Sequence, residues 1–458
     1  MSTKCKNRIY YFVISVFLNV SLLISQELSP QNLSLENAIK LAMKNNPELK
    51  TARLEVEKSD ARVMEAWGYA LPSISIAGRF TRTLKKPVFF LPDFSDLKSG
   101  RILPIEIGSD YAVDASLTAQ QILFNGTVIV GVGAAKVYSK LSKEIHLSKK
   151  VETVTKVRKA YYGALLAREV VEMMHSSLIN AENNFKNVLL MRKQGIISEY
   201  DELRASVQVD NLRPSVIQSE NNYELSLDAL RNLIGIEKGD SMAITDSLVF
   251  KAIDVSILSC AEDLVLESNP NLRILDRQIE LNDAAVSAER SNYLPTLAAF
   301  GQYQYQAAKN EFKLSTADLI GSSQVGLTLS LNIFQGMQTR ARVEQAQVDM
   351  LKSEEQKISL ERTLKTGAHS VVGNLKQAHK RIEAQEKTIE TAERGYKIVT
   401  TRFLANAATQ LEVNDAELAL TQAKVNRIQA IYDYLVAAAD LEQLIGRLPD
   451  YVVDTNEK

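Results

Sequence analysis

The sequence is short of everything that punctuates a chain. Its 458 residues include 10 prolines and 19 glycines, so long uninterrupted elements are expected, not a string of turn-rich domains. Two cysteines, Cys5 and Cys260, cannot build a disulfide framework or a cysteine-based metal site. A formal charge of -1 supplies no field to attract nucleic acid. The four histidines, His146, His175, His369 and His379, sit inside helical runs with neither HExxH spacing nor a Ser/His/Asp set. The nine methionines are dispersed, which gives soft-metal binding no support. No glycine-rich phosphate loop occurs, and the acids are interleaved with Lys and Arg as on a solvated helix face. These absences leave an enzyme, a cofactor or a resident metal without footing. After residue 25 no stretch is apolar enough for a membrane helix. A membrane-inserted form of this chain would have to span as strands.

Residues 1–25 carry the pattern of a secretory signal. Lys4, Lys6 and Arg8 make a basic start, residues 9–24 are mostly apolar, and Ser25 is a small residue before the cut. A membrane anchor is the other reading, but the apolar run falls short of the ~20 residues of a typical span. Cys5 precedes the apolar run, so it is not the cysteine that follows a lipoprotein signal. Cleavage would remove Lys4, Lys6 and Arg8 and no acid, taking the formal charge from -1 to near -4.

What the sequence does contain is itself, twice. Asn46-Pro47 is followed 25 residues on by Leu71-Pro72, and Asn269-Pro270 is followed 25 residues on by Leu294-Pro295. Leu123-Phe124-Asn125-Gly126 returns as Ile333-Phe334-Gln335-Gly336, and Leu233-Ile234-Gly235 returns as Leu444-Ile445-Gly446. The steps are 223 (Asn46 to Asn269), 210 (Leu123 to Ile333) and 211 (Leu233 to Leu444). Markers kept in order at near-constant step define two structural repeats. They cover 26–240 and 261–449, joined by a connector of irregular structure at 241–260 and followed by a tail at 450–458.

Each repeat has the same internal order. A helix comes first, over 34–68 in one repeat and 271–291 in the other, with Ser34 a good N-cap and Glu36 in the first turn. The period then changes to two. Strand pairs are expected at 72–83 with 111–124, and at 295–306 with 323–334. Val325, Leu327, Leu329, Leu331 and Ile333 fall on one face against Gln324, Thr328, Ser330 and Asn332 on the other. Strands of this length suit a tilted membrane strand of ~9–11 residues. The pattern also fits a half-exposed hairpin on a soluble domain, although a lone hairpin is marginal in water. Four strands cannot close a barrel, whose smallest known form has ~8, so membrane strands would have to be pooled between protomers.

Long helical hairpins follow, over 127–234 and 337–445. The first arm of each, about 66 residues at 127–192 and 337–402, would extend ~100 Å at 1.5 Å per residue. Apolar residues at three-four spacing, such as Val171, Met174, Leu178, Ala181, Phe185 and Val188, require a partner helix. The turns fall at Gly195-Ile196-Ile197-Ser198 and Asn406-Ala407-Ala408-Thr409. Beyond the second turn, Glu412 and Asp415 lie three residues apart and share a helix face. An acid pair in a first turn is also the ordinary complement of a helix dipole, and spacing alone leaves both readings open.

In this order, twice, the Asn-Pro, Leu-Pro, Phe-Asn-Gly/Phe-Gln-Gly and tip motifs resemble the TolC-type outer-membrane efflux and export channel family. The resemblance runs from Leu33 to about Pro449. It implies a mostly α fold with transmembrane β: long antiparallel helical hairpins forming a periplasmic α-barrel, and four β-strands per protomer in a 12-stranded trimeric outer-membrane barrel. It implies no catalytic activity and no cofactor. The protein would be a passive homotrimeric exit duct in outer-membrane lipid, reached through a periplasmic adaptor protein and serving an inner-membrane pump. The loops 84–110 and 307–322 would face outside.

The resemblance also implies residue roles. Glu412 and Asp415 match the acids of the periplasmic aperture, and three copies would stack two acidic rings that concentrate cations. Asp201 matches a position that joins neighbouring helices in the closed state. Gly195, Ile196, Ile197 and Ser198, with Asn406, Ala407, Ala408 and Thr409, match the tips where the adaptor docks. The family prototype completes its closing network with a tyrosine and an arginine, and the matching positions here are Phe403 and Ala408. Asn406 stands where a glycine is usual, and Asn also reaches left-handed conformations. The alternative class is a secreted soluble coiled-coil scaffold, which has no need of strands with an apolar outer face.

Overall fold

The described residues open on a short strand, β1 (Gln31–Leu33), before Ser34 caps α1 (Leu35–Asn45), its side chain accepting from the Asn37 N–H at 3.3 Å. Asn46 precedes a proline, which keeps it out of the α region. It adopts φ -57° and ψ 125°. The single helix expected over 34–68 is therefore two, α1 and α2 (Pro47–Gly68). This computed structural model describes residues 31–92, 100, 102–237, 242–312 and 315–453. The expected signal at 1–25, parts of the expected loops at 84–110 and 307–322, residue 241 of the connector and the last five residues of the tail lie outside them.

The chain continues through β2 (Ser73–Arg82), β3 (Val88–Pro92), β4 (Ile102–Glu106) and β5 (Tyr111–Phe124) into α3 (Gly126–Lys193) and α4 (Glu199–Ile234). The segment 84–110 is more than a loop, because β3 and β4 pair antiparallel within it, Val88 opposite Glu106. After α4 come β6 (Met242–Ile244), α5 (Val255–Ser259), α6 (Ala261–Ser268) and α7 (Pro270–Ser291). β6 runs parallel to β1. The second repeat closes with β7 (Thr296–Lys309), β8 (Ile320–Ser330), α8 (Gln338–Leu404), α9 (Gln410–Ile445) and a last turn, α10 (Asp450–Val453). β8 begins before 323 and stops at Ser330, so Leu331 and Ile333 lie beyond the ladder. Its partner β7 starts at Thr296, directly after Pro295, which has no N–H to offer.

The chain divides into two compact units. One comprises residues up to 53, 145–272 and from 360 onward; the other comprises 54–144 and 273–359. The second unit contains an antiparallel sheet in the order β2-β5-β7-β8, with β2 and β8 at its edges. Register decides its faces. Ile74 pairs with Ala119, Ala119 with Gly301, and Gly301 with Val325, while Ser75 leads through Thr118 and Gln302 to Gln324. One face is thus mostly Ile, Leu, Val, Tyr, Phe and small residues, and the other mostly Ser, Thr and Gln, with Arg79 opposite Asp114 and Phe300 also on it. The apolar face is bare: Ile76 is 82 % and Val325 87 % exposed. Among the described residues no helix is long and apolar enough to cross a membrane.

The first unit contains the buried helix seams. Ile39 of α1, Val157, Tyr161 and Leu165 of α3, and Leu230 and Ile234 of α4 form one core. Leu375 and Ile382 of α8 pack with Ile431, Tyr434 and Leu441 of α9 in another. The repeat markers prove to be a clasp. Asn46 donates from Nδ2 to the Leu233 carbonyl at 2.8 Å and accepts the Leu49 N–H at 3.1 Å. Asn269 does the same with Leu444 at 2.8 Å and with the Asn271 and Leu272 N–H groups at 2.9 and 3.3 Å. Each Asn therefore starts a proline-led helix and ties it to the end of its own hairpin.

Candidate functional site at the hairpin tips

The two tips are built alike because their sequences cap alike. Gly195 ends α3 with φ 74° and Asn406 ends α8 with φ 56°, both left-handed, where glycine and asparagine are the residues tolerated. The Ile196 N–H reaches the Met191 carbonyl at 3.0 Å, and the Ala407 N–H reaches the Arg402 carbonyl at 2.7 Å. The returning helices then begin with capping boxes. The Ser198 hydroxyl accepts the Asp201 N–H at 3.2 Å while Asp201 accepts from the Ser198 N–H at 3.4 Å. The Thr409 hydroxyl accepts the Glu412 N–H at 3.3 Å while Glu412 accepts the Thr409 N–H at 2.6 Å.

This places the candidate acids unequally. Asp201 and Glu412 are the same position of the two repeats, each with its carboxylate folded back over its own helix start. The bond from the Thr409 backbone is the main cause holding Glu412 below its usual carboxylate range, and the Arg402 charge adds to it. Asp415, one turn further along α9, is exposed and makes no ion pair among the described residues. Its equivalent in the first repeat is Arg204, which lies over the Tyr200 ring at 5.5 Å. Spacing put Glu412 and Asp415 on one face; the structure makes one of them a cap and leaves the other available to a cation.

The tips also bring the repeats together. Val188, Ala205, Phe403 and Val413, one from each of α3, α4, α8 and α9, form a buried cluster with Ile197 and Ala408 packed against it. Phe403 is 4 % exposed, and without a hydroxyl it has nothing to donate to a carboxylate. Phe403 and Ala408 contribute apolar packing at the tip. Ser198, Asn406, Ala407 and Thr409 are exposed, and so is Ile196, an apolar side chain at the point of the turn.

Three groups here escaped the sequence reading. Arg192 lies 3.5 and 3.7 Å from Glu199 and Glu202 across the first turn. Arg402 donates to the Ala407 carbonyl at 2.8 Å. Both stand in the last turn of their helices, where a cation complements the dipole, and that was the available signal. Glu417 is the third. It is 6 % exposed, its Oε1 has no hydrogen-bond partner among the described residues, and burial pushes its pKa up to about 7. Among the described residues no group of His, Cys, Asp and Glu could hold a metal ion.

The model of a protein family described as "Outer membrane efflux protein" matches residues 38–236 and 262–447. The alkaline protease secretion protein AprF of Pseudomonas aeruginosa is 24% identical over 338 residues, 73% of this chain and 70% of its own. The outer membrane protein TolC of Vibrio cholerae is 21% identical over 420 residues, 91% of each chain. Among solved structures, the Campylobacter jejuni CmeC outer membrane channel superposes with a TM-score of 0.74 at 16% identity, over 90% of this chain and 85% of that one.

Proposed function

The chain belongs to the outer membrane efflux protein family, and on that premise we propose that it is the non-catalytic exit duct of a tripartite efflux or secretion system, opened at its hairpin tips. The observation that carries this reading is the two-faced sheet. A soluble scaffold has no use for four long strands whose Ile, Leu and Val face is bare while the opposite face is mostly polar. Three copies would supply twelve strands, enough to close a barrel with the polar face inward. The partners of this reading are an adaptor docking on Gly195, Ile196, Ile197 and Ser198 and on Asn406, Ala407, Ala408 and Thr409, and an inner-membrane pump that sets the cargo.

In this reading Asp415 and Glu412 form the acidic rings of the aperture, with Asp201 at the equivalent site of the other hairpin. Exposed Ile196 supports a protein contact at the tip, and Asp415, exposed and without an ion pair among the described residues, supports a cation site. The test is conductance of the detergent-purified protein in a planar bilayer, with divalent cations added on the tip side. Cation-selective steps are expected, with Asp415→Asn relieving more of the divalent block than Glu412→Gln, because Glu412 is already engaged by its own helix start. Gln also serves at this position of a capping box, so Glu412→Gln keeps the fold. A block untouched by both substitutions together would move the gate away from these residues, and a protein that stays soluble without detergent would remove the channel.

A further inference from the structure

The first unit contains a cavity of about 430 Å³ that the tip reading does not use. It lies between α1, α2, α3 and α10, and its size falls in the ~300–1,000 Å³ range of small-molecule sites. Lys40, Lys44, Lys50, Arg53, His146 and Lys150 line it, and no acid is among the described lining residues. Leu49, Met43 and Tyr451 supply an apolar wall. Lys40 is bonded to Glu36 at 2.6 Å. Lys44, Lys50 and Lys150 pair with no acid among the described residues.

Two observations mark the cavity as more than a solvated basic face. His146 Nδ1 is buried without a hydrogen-bond partner among the described residues. Both titratable groups of α3 here are pushed toward their neutral forms, His146 by burial and then by the Lys150 and Arg53 charges, Lys150 by burial. Crowded positive charge beside an unsatisfied ring nitrogen is the environment an oxyanion relieves.

We propose that this cavity binds a small organic anion, phosphate- or carboxylate-bearing, whose charged end meets Lys50, Lys150 and His146 and whose apolar end lies against Leu49, Met43 and Tyr451. The mixture of wall chemistries favours an anion with an apolar body over bare phosphate. Bound negative charge stabilises the imidazolium, so binding is reported by the histidine itself.

The chain has only four histidines, so ring-labelled protein, purified whole in detergent, gives four resolvable titrations, with His146 assigned by its loss in His146→Gln. Hexyl phosphate and hexanoate are the probes, with inorganic phosphate and hexanol as single-feature controls. Hexyl phosphate or hexanoate is expected to raise the His146 midpoint and leave His175, His369 and His379 in place. Lys150→Gln should weaken that binding about tenfold, the loss of one charge-assisted hydrogen bond, and exposed Lys50→Gln provides the same test with little risk to folding. Hexanol should not act, and inorganic phosphate should act more weakly. Four histidines moving together, or no movement at millimolar probe, overturns the site. So does a His146 midpoint that falls in Asp454→Asn/Glu457→Gln without added probe, because the occupant is then the chain's own acidic segment.

Discussion

Glu417 is the carboxylate whose environment contradicts its type. It sits on the buried face of α9, one turn beyond Val413 of the tip cluster, and its charge is felt by Tyr396, whose pKa is raised first by burial and then by Glu417. Its pKa is raised from a usual 4.5 to about 7. Between those values the folded chain keeps a proton that the unfolded chain has lost. Stability therefore falls as pH rises through that window and levels off above about 7. At full burial a shift of this size corresponds to at most about 3 kcal/mol. Glu417→Gln keeps the shape and removes the charge. Its thermal unfolding midpoint is expected to match the parent near pH 4 and exceed it at pH 8; the same gap at both pH values would show that Glu417 is not titrating. This residue was not legible beforehand. Acids interleaved with Lys and Arg look solvated, and only the packing of four helices at the tip buries one of them. The caps had a signal that the reading of a first-turn acid pair passed over, since Thr409-x-x-Glu412 and Ser198-x-x-Asp201 are capping-box spacings, and the box folds the Glu412 carboxylate back onto its own helix start.

The helix junctions show why the repeats could be read at all. Asn-Pro and Leu-Ile-Gly recur because each pair meets: Asn46 bonds Leu233, Asn269 bonds Leu444, and a glycine closes each junction. Gly235 has φ 71°, and a Cβ there would lie 2.8 Å from the Asn45 carbonyl oxygen; Gly446 has φ 74°, and a Cβ would lie 2.7 Å from Pro270 Cδ. Gly235→Ala should cost about 1–2 kcal/mol from the left-handed conformation alone, with the backbone clash added. Asn46→Ala should cost about 1–3 kcal/mol for the carbonyl and N–H it strands. Because both act on one junction, a double-mutant cycle read by thermal unfolding should show non-additive losses, whereas Asn46→Ala with Gly446→Ala should add. Additivity in the first pair would separate the clasp into unrelated contacts. The hairpin within 84–110 gave no such signal. Phe89, Phe90 and Leu91 pair with Ile105, Pro104 and Leu103, so both faces are apolar and no period of two emerges. The break at Asn46 had its signal in the following proline; the apolar pattern running through it suggested one helix.

The sheet cannot be finished by one chain. Among the described residues β2 and β8 are edges, each with a row of backbone groups lacking a strand partner, and four strands at any tilt fall short of the ~8 that the smallest barrels use. If both edges are satisfied by copies of the same chain, β2 of one protomer pairs with β8 of the next, a head-to-tail contact that must close into a ring. In the proposed trimer the ring would close at twelve strands, and the apolar face, Ile74, Ile76, Val325, Leu327 and Leu329 among it, would become one continuous outer band. The closure can be counted. With Cys5 and Cys260 replaced by serine, Ser75→Cys on β2 is combined with single cysteines along β8 from Gly321 to Leu329, and the membranes are oxidised. The register that brings the two edges face to face should give a denaturing-gel ladder of one, two and three chains with nothing above. A ladder ending at two would require eight strands, an unbounded ladder would mean that the contact does not close, and no crosslink at any β8 position would mean that these edges never meet.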